Sequence, residues 1–311
     1  MNLESGAAIS ETKSAWRMLE DIPDGTVGRS LSFWYGGRPR VRLLHDSPHR
    51  KAFLHLHAAD GTPLTHAGRD AAGRAFGPFP LLRGLSIGWS EVDSELGRDD
   101  FWHAEKAAET RLRSSKIIEQ TGNWLVVALE LAWISGHSTT DQLVIHEVRT
   151  LAMTVTDDDL RIDLHHALTA RRPVDLGGDA HHGGFQFRAA VEAAAKPESV
   201  RCLWSPDAPA GDGIVRGRER QWIRLEYPAG GRRFSCLLLN HPANPLEEIS
   251  WRLYGRFGCF FHRSLARGET LSLIYGVRIA AAAAAEAEAA ARADAEYRHF
   301  LQTSDTRRLN K

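Results

Sequence analysis

Histidines are the residues of this sequence best suited to chemistry near neutral pH, because imidazole gains and loses its proton there. The chain carries 15 of them in 311 residues. His55 and His57 stand two positions apart, so on a β-strand both side chains point to one face. That spacing suits two ligands of one metal ion, with His49, His103 or His181 as a third. It equally suits a strand face with hydrogen-bonded imidazoles; we favour this second interpretation and assign no metal ligand.

A glycine-containing segment forms a second candidate site. His181 and His182 stand directly before a Gly-Gly pair. Adjacent residues of a strand face opposite ways, so these two imidazoles can share a site only if they lie in a loop. Gln186 and Arg188 follow at a spacing that puts both on one face of a strand. Their amide and guanidinium groups suit sugar hydroxyls, and the alternative is an exposed strand face.

The stretch from Asn240 to Pro245 is a third candidate. It follows an apolar run typical of a buried strand, and its two prolines fix the backbone. His241 is therefore held at a strand end, where it is placed to act as a general acid or base. Asn244 is suited to orient a hydroxyl group or to cap the turn. The alternative is a purely structural turn whose asparagine side chains bond their own backbone.

Strand patterns dominate the segments that must position these residues. Residues 160–168, 223–227 and 271–279 alternate apolar and polar side chains, which predicts strands with one buried face. Residues 124–134 and 143–155 are apolar on both faces and read as central strands. Turn dipeptides separate the runs, and no helical period stands between them. The sequence therefore predicts a mainly β protein, built as one large antiparallel β-sandwich.

Two segments depart from this pattern. Residues 10–20 predict a short helix, and the nearly pure Ala, Glu and Arg composition of residues 280–301 predicts a longer one. Consecutive alanines give no broad apolar face, so we expect a solvated tail helix, with an oligomer contact as the alternative. The expected organisation is an N-terminal extension with a first strand (1–37), the sandwich (38–279) and a helical tail (280–311).

Composition limits the possible partners. Lys plus Arg and Asp plus Glu both number 39, so no strong field exists to attract nucleic acid. No apolar run is long enough to cross a bilayer and no signal peptide is visible, so we expect a cytoplasmic protein without membrane contact. The three cysteines, Cys202, Cys236 and Cys259, are expected to be free thiols. Signatures of nucleotide-binding loops, serine hydrolases and zinc proteases are missing, and the sequence identifies no cofactor.

Three groups of motifs together resemble one known family. They are Phe53-Leu54-His55 with Asp60–Thr65, Phe79–Leu85 and Asp100-Phe101-Trp102; then Leu160–Asp163 with Gly183–Arg188; and then Asn240–Pro245 with Trp251 and Phe257-Gly258. In order and spacing they are similar to the bacterial family labelled PmoA-like, or methane oxygenase-like, across residues 38–279. The family's strand pattern resembles sugar-handling sandwiches of the mutarotase type (supersandwiches). The resemblance thus implies a sugar-like small molecule as the ligand.

Polar and aromatic positions fit such a ligand. Arg83 matches the family pattern, and the stretch with Gln186 and Arg188 is part of the resemblance. Trp102 and Trp251 offer aromatic faces of the kind on which sugar C–H groups stack.

The sequence departs from the family at two positions. Leu81-Leu82 stands where members carry a pair of histidines, and Arg252 stands where members often carry a histidine.

Three hypotheses follow. The first is a carbohydrate-active enzyme that epimerises, eliminates or hydrolyses by proton transfer, with His241 as acid or base and His55 or His181 as its counterpart. Arg83 and Arg188 would then hold substrate oxygens. The second is a non-catalytic sugar-binding module or sensor. The third is a metal-dependent oxygenase that uses His55 and His57.

Overall fold

A computed structural model of the chain describes residues 15–21, 29–45, 50–70, 72–104, 108–137, 142–156, 159–204, 212–216, 222–282 and 285–304. Two large antiparallel sheets and a small one account for most of them. The strands of the first sheet, in spatial order, are β1 (Arg17–Asp21), β2 (Ser30–Tyr35), β3 (Arg38–Leu44), β4 (Phe53–Leu56), β5 (Leu85–Trp89), β13 (Gly183–Arg188), β19 (Arg256–Phe260), β18 (Glu248–Arg252) and β15 (Gly213–Arg216).

The second sheet holds the longest strands. In spatial order they are β14 (Arg201–Trp204), β16 (Trp222–Ala229), β17 (Arg232–Asn240), β21 (Thr270–Ala281), β11 (Asp159–Ala170), β10 (Leu143–Thr156), β9 (Trp124–Ile134) and β8 (Glu109–Thr121). The small sheet follows the order β20 (Arg263–Leu265), β12 (Val174–Gly177), β6 (Glu91–Ser94) and β7 (Gly97–Asp99). Helix α1 spans Val191–Ala195, a 3-10 turn spans Pro197–Ser199, and helix α2 spans Glu286–Thr303.

Aromatic side chains hold the two large sheets face to face. Phe185 of β13 stacks on Tyr275 of β21 with ring centroids 4.4 Å apart. Trp89 of β5 meets Trp133 of β9 across the same layer at 6.2 Å. These rings are fully buried, so they contribute large apolar areas to the core. The predicted antiparallel β-sandwich with a C-terminal helix is confirmed.

The C-terminal helix differs from its prediction in two respects. Residues 280–281 are not helical, because they continue β21 and pair with residues 234–235 of β17. Strand pairing here outweighs the helix propensity of alanine. The helix is also docked and not solvated: Tyr297 and Phe300 are buried, and Trp222 of β16 donates its indole N–H to Asp294 over 2.8 Å. No helix in the described segments is long and apolar enough to cross a bilayer.

The short helix predicted for residues 10–20 is wrong where the structure describes it. Residues 17–21 form β1, which pairs with β2 along its whole length. Residues 10–14 lie outside the described residues. The cause is again a contact between segments and not a local preference. The backbone of residues 17–21 pairs with β2 at the edge of the first sheet, and this pairing outweighs a weak helix propensity. The three cysteines are free, as expected.

A fully buried ionic cluster links three strands of the second sheet. The carboxylate of Glu147 accepts hydrogen bonds from Arg149 Nε at 2.7 Å, Trp133 Nε1 at 2.8 Å and His166 Nδ1 at 2.8 Å. Burial alone would raise the pKa of Glu147, but the charge of Arg149 and the bond from His166 outweigh it and hold that pKa far below its usual range. Glu147 is therefore ionised at neutral pH and depends on these partners.

This cluster predicts that Arg149→Met destabilises the fold by about 3–5 kcal/mol, because a buried carboxylate loses its cation. Urea denaturation followed by tryptophan fluorescence measures the change. Arg98→Met is the matched control: Arg98 pairs with Asp93 at 2.8 Å but is 58% exposed, so its loss should move the unfolding midpoint little. Equal shifts in the two variants would contradict the assignment.

Candidate functional site

Strand β13 separates the core from a polar face of the first sheet. Its residues alternate, so Phe185 and Phe187 point into the sandwich while Gln186 and Arg188 point away from it. The outward neighbours on the adjoining strands are polar as well: Gln186 pairs with Ser86 of β5, and Arg188 pairs with Arg256 of β19. Loops cover this face, so most of its polar side chains are buried.

One of these loops, residues 99–104, lies directly against strand β5. A Cβ atom at Gly88 would stand 2.5 Å from the carbonyl oxygen of Phe101, so only glycine allows the contact. Asp100 then shapes the turn, because its Oδ1 accepts the backbone N–H groups of Trp102 at 2.9 Å and of His103 at 2.8 Å. The turn presents the imidazole of His103 at the mouth of the covered face.

His103 and Asp100 form a hydrogen-bonded pair. The imidazole Nδ1 lies 2.7 Å from Asp100 Oδ2, and the side chains are 25% and 30% exposed. Burial opposes ionisation of Asp100, but the hydrogen bonds from the His103 ring and backbone outweigh it and lower the pKa of the carboxyl group. Asp100 is thus a carboxylate at neutral pH and accepts the Nδ1 proton of His103.

A second pair repeats the same arrangement in the loop between β12 and β13. His182 Nδ1 lies 3.0 Å from both carboxylate oxygens of Asp179. Asp179 Oδ1 also accepts the backbone N–H of His181 at 2.7 Å. Burial again opposes ionisation of this carboxyl group, but the His182 bond outweighs it and the pKa of Asp179 is lowered.

The two imidazoles meet. The ring centroids of His103 and His182 are 5.3 Å apart, with their planes inclined by 41°. Because each Nδ1 faces a carboxylate and carries the proton, each Nε2 is left with a free lone pair that can accept a hydrogen bond. Two such groups side by side can take a proton from one atom of a substrate and give a proton to another. We name these four residues the His–Asp pairs.

Buried cations hold the two loops in place. Lys51 donates to the carbonyl oxygen of Trp102 at 2.7 Å and lies 4.8 Å from the centroid of its ring. Arg256 lies over the same ring at 5.4 Å and donates to the carbonyl oxygen of His181 at 2.8 Å. Burial, followed by the charge of Arg83, keeps the pKa of Lys51 well below its ordinary value, and burial lowers that of Arg256 to about 10. One guanidinium thus bridges the loops that carry His103 and His182.

His181 lies beside the His–Asp pairs. Arg252 donates to its imidazole, with Nη2 3.0 Å from Nδ1. Burial, with the charges of Arg252 and Arg256, lowers the pKa of His181, so the ring is neutral at pH 7. Arg252, at the end of strand β18, therefore orients a histidine of the loop between β12 and β13.

His55 and His57 lie on one face, as their spacing predicts. Their ring centroids are 4.5 Å apart, and His55 Nδ1 is 2.8 Å from Thr65 Oγ1. Burial lowers the pKa of His57 to about 3, so it is neutral at physiological pH. Within the described residues no group of three or more His, Cys, Asp or Glu side chains is placed to hold a metal ion. His49, a candidate third ligand, lies outside those residues.

Other predicted binding residues are buried and bond to the protein itself. Gln186 donates to Ser86 Oγ at 3.0 Å, and Arg83 donates to the carbonyl oxygen of Pro80 at 3.2 Å. Arg188 donates to the carbonyl oxygens of Tyr254 and of Pro78, the latter at 3.3 Å. Trp102 is fully buried beneath the loop. In this structure these side chains anchor loops and do not line an open surface.

His241 and its neighbours lie in a different part of the molecule. The ring of His241 packs on Phe300 of α2 at 5.8 Å, and none of its contacts with described residues involves His55 or His181. Asn244 bonds both backbone groups of Ile274, donating at 2.8 Å and accepting at 2.7 Å. Trp251 is 1% exposed and belongs to the core. The Asn240–Pro245 stretch thus joins a loop to the second sheet, and the structure does not bring His241 together with the other predicted catalysts.

Sequence reasoning missed the His–Asp pairs as a unit. The sequence pattern marked His103 as a possible third metal ligand and as aromatic surface, and it marked His182 only as a neighbour of His181; Asp179 was not identified. A local signal was present, because an aspartate precedes a histidine by three residues in both loops. Such an aspartate commonly bonds the backbone of its own turn, which brings the histidine ring back to the carboxylate.

Comparison with known proteins gives a family and some distant structures. A family model described as a family of unknown function (DUF6807) matches residues 30–294. It does not support the PmoA-like label expected from the sequence. A search of curated proteins gave no match.

Solved structures similar to the chain include a candidate aldose 1-epimerase from Escherichia coli K12, with 11% identity, coverage of 79% of this chain and 97% of that one, and a TM-score of 0.39. A galactose mutarotase related enzyme from Lactobacillus acidophilus has 7% identity and a TM-score of 0.38, and the match covers 87% of this chain and 99% of that one. A GH36 alpha-galactosidase from Geobacillus stearothermophilus has 11% identity and a TM-score of 0.44. The match covers 78% of this chain and 39% of that one, so the chain spans less than half of that enzyme. Likeness at this level assigns neither activity nor substrate.

One further titratable group lies at the end of the Asn240–Pro245 stretch. Glu247 is 2% exposed, receives Asn240 Nδ2 at 2.7 Å and accepts the hydroxyl of Tyr275. Burial raises the pKa of Glu247 from 4.5 to about 7, and its hydrogen bonds only partly oppose this. The folded value lies above the unfolded one, so the native state holds the proton more tightly.

Stability contributed by this proton is therefore complete below about pH 4.5 and is lost as pH rises towards 7. Between pH 4 and pH 8 the wild type should lose about 3 kcal/mol relative to Glu247→Gln, which carries no titrating proton. Urea unfolding of both proteins at the two pH values measures this difference, and the other titrating groups cancel in it. A constant difference would show that Glu247 titrates normally in the folded protein.

Proposed function

The chain belongs to this family of unknown function, DUF6807, and we propose that it is an acid–base enzyme acting on a small hydroxylated molecule of the carbohydrate type. His103 and His182 would be the groups that transfer protons. The observation that carries the proposal is the meeting of two imidazoles, 5.3 Å apart, each held at Nδ1 by its own carboxylate.

The geometry limits where a substrate binds. The two rings are too close for a substrate to lie between them, so in this proposal it would lie against both, with neighbouring atoms reaching one Nε2 each. The ring oxygen and the anomeric hydroxyl of a sugar share one carbon, and such a pair of atoms suits two adjacent proton-transfer groups. One imidazole would take the hydroxyl proton while the other, protonated, gives its proton to the ring oxygen. Epimerisation and elimination also need one base and one acid, but there the base takes a proton from carbon, and the acid gives a proton to carbon or to the leaving oxygen.

The aspartates and the buried cations would have positioning roles. Asp100 and Asp179 keep the Nδ1 protons in place and stabilise the imidazolium formed during the reaction. Arg256 fixes the distance between the loops through the Trp102 ring and the backbone of His181. His181 and Arg252 offer donors to substrate hydroxyls at the rim. His55 and His241 take no part in this proposal.

The carbohydrate part of the proposal rests on two supports. The strand pattern resembles that of sugar-handling sandwiches, and the rim carries guanidinium and imidazole groups suited to hydroxyls. A binding module remains the alternative hypothesis, and it shares these features. It differs in having no turnover, so catalysis is the property that separates the two.

The proposal predicts that His103→Asn and His182→Asn each lower turnover by about 100-fold or more, because each removes one proton-transfer group. The assays are mutarotation of free aldoses by polarimetry and conversion of 4-nitrophenyl glycosides by absorbance. His299→Asn is the control, since His299 is exposed on α2. Turnover within about threefold of wild type in both loop variants would contradict the proposal, and a ligand that binds wild type without being converted would favour the binding module.

A further inference from the structure

A cleft is lined in part by the loop between β12 and β13, which carries the Asp179–His182 pair. It encloses about 660 Å³, a volume typical of small-molecule sites. Asp179 and His181 line it together with Ile214, Leu246 and Phe261. The cleft thus combines polar groups, one of which also bonds a proposed catalytic residue, with apolar side chains.

The apolar part of the cleft lining combines partly exposed aliphatic side chains with buried aromatic ones. Ile214 is 49% exposed and Leu246 is 47% exposed. Phe260 and Phe261 also line the cleft, and they are only 3% and 4% exposed. The two aliphatic side chains of the cleft are about half exposed, so part of its apolar surface is in contact with water. Such area gains free energy when an apolar group covers it.

The structure also connects the cleft to the reaction site. Asp179 lines the cleft and at the same time holds His182. His181 lines the cleft and is bonded by Arg252 and, through its backbone, by Arg256. The loop between β12 and β13 therefore contributes residues both to the His–Asp pairs and to the cleft, and Asp179 belongs to both.

We propose that this cleft binds an apolar, ring-sized substituent of the substrate, so that the substrate class is a sugar that carries an aromatic substituent. This inference rests on the proposed function, since the cleft matters to catalysis only if the reaction takes place at the His–Asp pairs. The sugar would lie over His103 and His182, with the aromatic group between Ile214 and Leu246.

A small substituent fits the cleft better than a second protein surface. The space is concave and compact, and its apolar walls are flanked by Asp179, Glu248 and His262, which a flat apolar interface would have to desolvate. A substituent that enters only as far as the aliphatic walls leaves these polar groups in water. The same polar groups give a sugar hydroxyl or a linking oxygen partners at the entrance.

The test uses 4-fluorophenol and 4-fluorophenyl β-D-glucopyranoside as probes, followed by ¹⁹F NMR titration of the full chain. Ile214→Gln and Leu246→Gln should each weaken binding of both probes by about tenfold, because each replaces an apolar wall with an amide. Leu19→Gln and Ile118→Gln are matched controls, being 45% and 44% exposed on the outer strands β1 and β8. Thermal unfolding confirms that each variant is folded, and Ile214 stands on the outer strand β15, where a polar residue is tolerated.

The outcomes separate this inference from the proposed function. Unchanged binding in both cleft variants, equal losses in the controls, or no binding of either probe to the wild type would overturn the cleft assignment. His182→Asn should leave 4-fluorophenol binding within about twofold of wild type, because the phenol needs only the cleft. If His103→Asn and His182→Asn retain turnover while the cleft variants lose probe binding, the proposed catalysts are wrong and the cleft stands.

Discussion

The alternation of strand β13 is the constraint on which the rest of the structure depends. Phe185 and Phe187 must face the second sheet to build the core, so Gln186 and Arg188 must face the opposite way. A shift of one residue in register would exchange the two sets and place a guanidinium in the aromatic layer. The polar face that holds the candidate site is therefore a direct consequence of how the core is packed.

Covering that polar face creates a second requirement, because buried cations need partners. Among the described residues, Lys51, Arg188 and Arg256 donate chiefly to backbone carbonyl oxygens of the covering loops. These bonds fix loops that would otherwise be free to move. As a consequence the turns that carry His103 and His182 are held in place, and the two aspartate-bound imidazoles contact each other.

Much of the fold was predictable from the sequence because its signals are local. Alternation of apolar residues predicts strands such as β11 and β21, and both are present. The start of α2 was not predictable from propensity, since residues 280–281 are held in β21 by their pairing with β17, a contact distant in sequence. Docking of Tyr297 and Phe300 depends in the same way on the second sheet.

The candidate site was predictable only in part. The same-face placement of His55 and His57 follows from a spacing of two and agrees with the structure. The meeting of His103 with His182 does not follow from spacing, because their loops come together through contacts between segments distant in sequence, among them the contact of residues 99–104 with β5 and the pairing of β5 with β13. Each Asp–His pair could be predicted from the sequence, because its two residues are only three positions apart. The contact between the two pairs could not, because it depends on how the strands are arranged in the sheet.

The tautomeric state of His103 and His182 tests the central claim most directly. The ¹⁵N chemical shifts of protein labelled at histidine, recorded at pH 8 and assigned with single His→Asn variants, distinguish a protonated from an unprotonated ring nitrogen. The account predicts that both rings carry their proton on Nδ1, facing Asp100 and Asp179, and leave Nε2 basic. A proton on Nε2 of either ring would contradict it.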